Sequence, residues 1–349
     1  MNIAMLASGG VDSSVAVYQL KEAGYTPTLF YIRIGMEDKD KNLDCHSEED
    51  IEIVTYIARK YGCPMEIVSL HNEYWEYVMG YAFETIKRGL TPNPDVMCNK
   101  FIKFGFFEKY WGKDFDKIAT GHYANTRIMD DITYLATAKD TIKDQTDFLA
   151  QLNHVQISKL LFPIGNMMKD EVRTIALQQN LPSARRKDSQ GICFLGNINY
   201  NQFIRNYLGE KEGDIIDLKS GHIVGRHKGY WFHTIGLSGG PWFVIKKDPE
   251  QNILYVSNGS DPETQYGNIL DLSGFQFISG NPLGDLSHNT PITFKNRHTP
   301  EFTPGTIQCI DNNIVRITSE KKIQGIAPGQ FGVIYSHDKE LCLASGIIQ

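Results

Sequence analysis

Two cysteines stand in sequence settings that suit reactive chemistry. Cys98 closes the stretch Thr91-Pro92-Asn93-Pro94-Asp95-Val96-Met97-Cys98, followed by Asn99 and Lys100. Two prolines fix a rigid approach, and on a starting helix Asp95 and Cys98 share a face. A thiol in the first turn is favoured as thiolate by the helix dipole, and Lys100 and Lys103 add positive charge. Asp95 is placed to orient a substrate or move a proton. The same stretch also reads as a helix-capping aspartate with a packed cysteine. Cys193 follows the Arg185-Arg186-Lys187 run and Asp188-Ser189-Gln190-Gly191. Three cations give it reason to ionise, and so to act as a nucleophile or carry a sulfur; the alternative is a loop cysteine buried between Ile192 and Phe194. Cys45, Cys63, Cys309 and Cys342 read as buried or incidental thiols. Cys45-His46 has no partner cluster at metal-ligand spacing.

The third reactive stretch is Ser8-Gly9-Gly10-Val11-Asp12-Ser13-Ser14. It follows a short apolar run and leads into Val15, Ala16, Val17 and Leu20, so it reads as strand, tight glycine turn, helix. Adjacent glycines remove the Cβ atoms that keep a phosphate from the backbone N–H groups. A helix N-terminus adds unpaired donors and partial positive charge. Ser8, Ser13 and Ser14 add hydroxyls, and Asp12 either caps the helix or holds a cation. No Gly-Lys-Ser/Thr ending follows, so no loop lysine reaches for a γ-phosphate. The stretch resembles the pyrophosphate-binding (PP) loop of the ATP pyrophosphatases, which split ATP between its α- and β-phosphates. The plain alternative is a strand–helix turn with a serine cap.

These residues need a scaffold. Residues 1 to about 125 alternate strand and helix, which implies a parallel, doubly wound sheet with helices on both faces. Such sheets bind ligands beyond the carboxyl ends of their strands, where residues 8–14, the end of the 28–34 strand and Gly121 all fall. A helical pattern runs from 148 to 180. After Gly213 short strands with Gly, Asn and Pro punctuation take over, with hairpins around Lys219-Ser220-Gly221 and Asn312-Asn313. The fold class is therefore α/β, with a small central module and a C-terminal β-barrel-like domain. Boundaries are expected at 1–209, 210–271 and 272–349.

The 349 residues are 41% hydrophobic and 22% charged, as in a soluble globular protein of two or three domains. The N-terminal apolar run has no basic region before it and stops at Gly9, so it reads as neither signal peptide nor membrane span. Six cysteines without a close C-x-x-C pair argue against a zinc ribbon, an iron–sulfur site or a secreted disulfide scaffold. Net charge is −6, but residues 181–247 hold ten Lys/Arg against five Asp/Glu, a local +5 that leaves −11 elsewhere. A local basic patch on an acidic protein can bind a polyanion; it is equally a solvated basic face.

Taken together, the intact strings Ser-Gly-Gly-Val-Asp-Ser-Ser, Asn93-Pro94-Asp95-x-x-Cys98-Asn99 and Gly191-Ile192-Cys193-Phe194 resemble the tRNA-uridine 2-sulfurtransferases, the 2-thiouridylases of the wobble uridine. Thr120-Gly121-His122-Tyr123 and Lys143-Asp144-Gln145 extend the resemblance over nearly the whole chain. It implies ATP with Mg²⁺, held at Leu6, Ala7, Ser8, Gly9, Gly10, Val11, Asp12 and Ser13, near Ile32 and at Gly121, with no dedicated metal cage. It implies adenylation of uracil O2, a persulfide on Cys193, attack by Cys98, a transient disulfide between the two, and proton handling by Asp95. Asn93, Pro94 and Asp95 would grip the flipped base. Lys143, Asp144 and Gln145, with Lys295, Asn296 and Arg297, match the family's tRNA-contacting positions. The partners implied are tRNA and a sulfur-donor protein, a cysteine desulfurase or relay protein. A cytoplasmic monomer without membrane attachment is expected.

The chain departs from the family pattern at Ala7, where Met or a close relative is usual. It also departs after His233-Thr234-Ile235-Gly236, where Gln-Arg-Lys-Gly normally follows; two cations of the central module go with that segment. Two rival readings share parts of the pattern. A pyrophosphatase-type ligase using ammonia or an amine needs no paired cysteines, and a non-catalytic RNA-binding module needs no ATP.

Overall fold

The strand β1 (Ile3–Leu6) is buried at every position. It lies between β2 (Thr28–Arg33) and β4 (Lys117–Thr120), parallel to both. The structure, a computed structural model, describes residues 1–34, 47–188, 200–233, 238, 239, 241–259 and 266–349. Cys45, Cys193 and the shortened segment after His233 lie outside them.

Outside β2 lies β3 (Met65–Ser69). The hairpin strands β5 (Asn125–Met129) and β6 (Ile132–Ala136) belong elsewhere, and β7 (Leu160–Leu161) completes the sheet beside β4, in the order β3–β2–β1–β4–β7. The order reverses direction at β1, which makes the crevice between the ends of β1 and β4 the switch point where such sheets hold ligands. β7 interrupts the helical pattern expected across 148–180. The actual elements are the helices Thr146–Leu149 and His154–Lys159, then β7, then the helix Lys169–Gln178. Two residues of strand are too few to show a period of two.

The expected helices over 74–87 and 101–110 form, but each contains wider-wound turns of π type, at Tyr74–Met79 and Cys98–Phe106. Their aromatic faces enter one core with the sheet, in which Phe107 meets Phe30 edge-on with ring centres 5.0 Å apart.

Next come β8 (Gly213–Asp217) and β9 (Ile223–His227), the hairpin read from Lys219-Ser220-Gly221. They join β10 (Ser238–Gly239), β11 (Trp242–Asp248) and β12 (Ile253–Asn258) in the central sheet. The C-terminal strands are β13 (Tyr266–Phe277), β14 (Thr290–Lys295), β15 (Thr303–Cys309), β16 (Ile314–Gln324), β17 (Phe331–Tyr335) and β18 (Leu341–Ile348). β13 pairs with both β16 and β18, so these six close into a barrel. The β5–β6 hairpin, turning at Asp130 and Asp131 with positive φ, adds to the barrel through β6 and β18. An α/β parallel sheet, a central module and a β-barrel are thus all present; the sequence pattern did not show that a hairpin from the first segment extends the barrel's sheet.

Candidate active site

The loops leaving β1 and β4 touch. Gly9 sits at φ +75°, and a Cβ there would lie 2.9 Å from the Asp50 Cα. A Cβ on Gly121 would come within 2.7 Å of the Ser13 backbone nitrogen. Both positions therefore require glycine for close backbone approach. Gly10 is the N-cap of the helix α1 (Val11–Glu22) and makes no side-chain cap bond to its first turn, an end that suits an anion. The loop is braced by its own hydroxyls: Ser13 Oγ accepts from Ser8 N at 3.3 Å, and Ser13 and Ser14 both donate to Gly10 O, at 3.1 and 2.8 Å. Leu6, Ala7 and Ile32 are buried at the strand ends beneath it, and Val11 is buried on α1. This backbone fits a pyrophosphate.

Asp12 does not cap the helix. It holds a cation, the protein's own Lys169, whose Nζ donates to both carboxylate oxygens at 2.7 and 2.8 Å. Tyr123 OH donates to Asp12 as well, at 2.8 Å. Burial first, and then the carboxylate beside it, raise the Tyr123 phenol far above its ordinary range. Lys169 Nζ also reaches Asp188 at 2.9 Å, and Asp188 takes Lys143 at 2.7 Å and Arg173 at 2.6 Å. Burial alone would raise the Asp188 carboxyl; Lys143 and Lys169 outweigh it and bring it to about 2. The approach to residues 189–199 is tied to the loop twice more: Ser183 donates to Ser14 at 2.9 Å, and Arg186 donates to Gly9 O at 3.2 Å and to Asp50 at 2.6 Å. Sequence reasoning missed Lys169. The available signal was its place as the first residue of a helix, where a cation opposes the dipole unless something else employs it.

Cys98 is fully buried. Its helix begins at Pro94, with Asn93 as cap: the Asn93 Oδ1 accepts from Val96 N at 3.2 Å. Counting from that cap, Cys98 begins the second turn rather than lying in the first, because Asn93 and not a later residue supplies the cap. Asp95 is half-buried in the first turn. The barrel reaches this helix directly. Gln330 Nε2 donates to Pro92 O at 2.7 Å, Gln330 Oε1 accepts from Asn93 at 3.3 Å, and Thr91 N donates to Pro328 O at 2.9 Å. Gln330 was not singled out in the sequence, since nothing local to Pro328-Gly329-Gln330 points to a partner in another domain.

The positions matched to tRNA contacts separate by depth. Lys143 is half-buried, its ammonium on Asp188. Gln145 accepts from Tyr123 N at 3.0 Å and so orients the turn after Gly121. Asp144 is buried, accepting from Ala138 N at 2.7 Å and Thr146 Oγ1 at 2.5 Å. Its desolvation raises its carboxyl despite Lys295 nearby. Lys295 is also buried; its ammonium lies 3.5 Å from Asp144, a charge contact without hydrogen-bond alignment, and 4.2 Å from the centre of the Phe302 ring. Asn296 is buried beside Gln324 and Gly325, and Arg297 is exposed, bonded to Gln324 O. A small cavity brings Asn93, Lys295, Arg297 and Gln330 together with His298 and Asp147. The Asp147 carboxylate, 3.0 Å from His298 Nδ1, raises that imidazole.

Residues 1–197 match the family described as tRNA methyl transferase HUP domain, residues 201–258 the tRNA methyl transferase PRC-barrel domain, and residues 269–348 the aminomethyltransferase beta-barrel domain. The chain is 65% identical over 354 residues to the tRNA-specific 2-thiouridylase MnmA of Parabacteroides distasonis, covering 100% of this chain and 99% of that one. It is 60% identical over 358 residues to the protein of the same name from Porphyromonas gingivalis and 62% identical over 354 residues to tRNA-specific 2-thiouridylase MnmA 1 of Bacteroides thetaiotaomicron, with the same coverage in both cases.

Proposed function

The chain belongs to the tRNA-specific 2-thiouridylase family, enzymes of tRNA sulfur transfer that use ATP, and on that premise we propose the course of its reaction. The observation that carries the reading is the paired close approach at Gly9 and Gly121, a backbone cradle at the sheet's switch point in a chain matched along its whole length to 2-thiouridylases.

Residues 6–13, Ile32 and Gly121 would hold ATP with Mg²⁺. Uracil O2 of the wobble uridine attacks the α-phosphorus, and pyrophosphate leaves toward the α1 N-terminus, whose partial positive charge receives it. The C2–O bond now has AMP as its leaving group. A cysteine desulfurase or relay protein delivers a sulfane sulfur to Cys193. The Cys98 thiolate attacks the Cys193 sulfur, forming a disulfide and releasing hydrosulfide; hydrosulfide adds to C2 and AMP departs. Two external thiols, or one dithiol, then reduce the disulfide and are themselves oxidised to a disulfide. Asp95 moves the protons, and Asn93, Pro94 and Asp95 hold the extruded base. Because Cys98 is fully buried in the free chain, entry of the base must open a path to it. Lys143, Asp144, Gln145, Lys295, Asn296 and Arg297 serve tRNA binding, Lys143 and Arg297 directly and Asp144 and Lys295 as the buried base beneath them. The enzyme acts as a cytoplasmic monomer.

Mass spectrometry of tRNA nucleosides after incubation with ATP, cysteine and a cysteine desulfurase tests this. Wild type should yield 2-thiouridine, and Cys98→Ser and Cys193→Ser should not. No product with wild type refutes the reaction; full product with either variant refutes the two-thiol route.

A further inference from the structure

Four alternating charges form an unbroken line from a proposed tRNA contact to the proposed nucleotide loop. Lys143 meets Asp188 at 2.7 Å, Asp188 meets Lys169 at 2.9 Å, and Lys169 meets Asp12 at 2.7 Å. Lys169 is about nine-tenths buried, so its charge is poorly screened and its two carboxylates compete for it. Arg173, the third cation on Asp188, is fixed by the carbonyls of Ala184 and Arg186, at 3.3 and 3.0 Å. The Lys169 backbone is fixed too, its N–H donating to Asp140 at 2.8 Å. Within this frame the Lys143 ammonium, at the more exposed end, and the Lys169 ammonium are the parts free to redistribute.

We propose that this line couples tRNA binding to ATP binding, with Lys169 and Asp188 as positioning residues. The inference rests on the function proposed above. When a tRNA phosphate draws Lys143 away, Asp188 loses one of its three cations and pulls harder on Lys169. Lys169 then shares less of itself with Asp12, and the Asp12 carboxylate is released toward the cation that accompanies ATP. Run from the other end, loading of Mg·ATP draws Asp12 from Lys169, strengthens the Lys169–Asp188 bond and frees Lys143 for the phosphate. Linkage requires the two effects to be equal, so each ligand tightens the other by the same factor.

The test is a thermodynamic square on the full chain with unmodified substrate tRNA and a non-hydrolysable ATP analogue with Mg²⁺. The tRNA Kd is measured with and without the analogue, and the analogue Kd with and without tRNA. The expected wild-type coupling is about fivefold or more, equal in both directions, falling to within about twofold of unity in Asp188→Asn while both ligands still bind. Lys169→Gln, which breaks the line at its centre, serves where Asp188→Asn melts below assay temperature and should give the same loss. Wild-type binding of both ligands without coupling overturns the inference, as does coupling that persists in the variants. A chain that binds neither tRNA nor the analogue overturns the proposed function instead.

Discussion

Lys169 and Asp12 stand 157 residues apart in sequence and form a two-pronged ion pair at 2.7 and 2.8 Å. The pair makes the first helix of the sheet and the helix Lys169–Gln178 share one buried charge. Without Lys169, Asp12 keeps only the Tyr123 hydrogen bond among the described residues; because its side chain is about a third exposed, the cost is about 2 kcal/mol rather than that of a fully buried charge. Lys169→Met should therefore lower stability to urea by roughly that amount. Adding Asp12→Asn should return part of the loss, since the stranded carboxylate goes with it. Urea midpoints of the three proteins check this, and simple additivity of the two changes contradicts it.

Asp188 carries a pH signature. Its carboxyl is brought from 3.8 in the ordinary case to about 2 when folded. A depressed carboxylate contributes stability that is fully present above its unfolded value and lost as pH falls through the folded one. The stability gap between wild type and Asp188→Asn should be constant above about pH 5 and close between about pH 4 and pH 2. Thermal melts across pH 2–6 measure it. A gap that stays the same at pH 2 rules the relationship out.

Gly121 is sensitive to a single methyl group. Its Cβ would sit 2.7 Å from Ser13 N and 2.9 Å from the Asp12 carbonyl carbon, both backbone atoms that cannot swing aside. Gly121→Ala should displace the loop and weaken binding of ATP about tenfold, or roughly 1.4 kcal/mol, with stability much less affected. Calorimetric titration with the non-hydrolysable analogue reads the loss directly, and unchanged affinity would show that the close approach at Gly121 does not shape the nucleotide site.

Gln330 anchors the Asn93 cap from the barrel. Its amide satisfies Pro92 O and orients the Asn93 carboxamide so that Oδ1 faces Val96 N. Gln330→Ala should cost about 1 kcal/mol in stability. It should also lower the single-turnover rate of thiolation at saturating tRNA and ATP, because the cap that sets Asp95 loses its outer support. Retention of the wild-type rate would separate the barrel from the chemistry.

The chemistry of residues 8–14 was legible because it is backbone chemistry: two glycines after a short apolar run say where a chain turns and what it leaves uncovered. The strand–helix alternation and the hairpins at Gly221 and Asn313 were legible for the same local reason. Lys169 was not, because its role exists only where two distant segments meet. Asp144 and Lys295 show a different limit. Matching them to tRNA-contacting positions says where they lie along the chain, not which way they face, and both side chains turn inward. Cys98 fell one turn from its expected place because cap identity, here Asn93, is decided by a side-chain bond that spacing alone does not reveal.

The strand pairing of β6 with β18 has a consequence for how the molecule is made. Ala136 pairs with Leu341 and Leu135 with Cys342, so an edge formed early in synthesis waits for β18, the last of the described strands. Gln151 and Ser345 share the same seam, with a 2.7 Å bond. Contacts this remote in sequence form slowly, and an open edge in the meantime is a template for wrong partners. A ribosome paused before residue 341 holds a nascent enzyme whose first segment is already present and unfinished. Cutting off the barrel would leave the same exposed edge on the N-terminal segment.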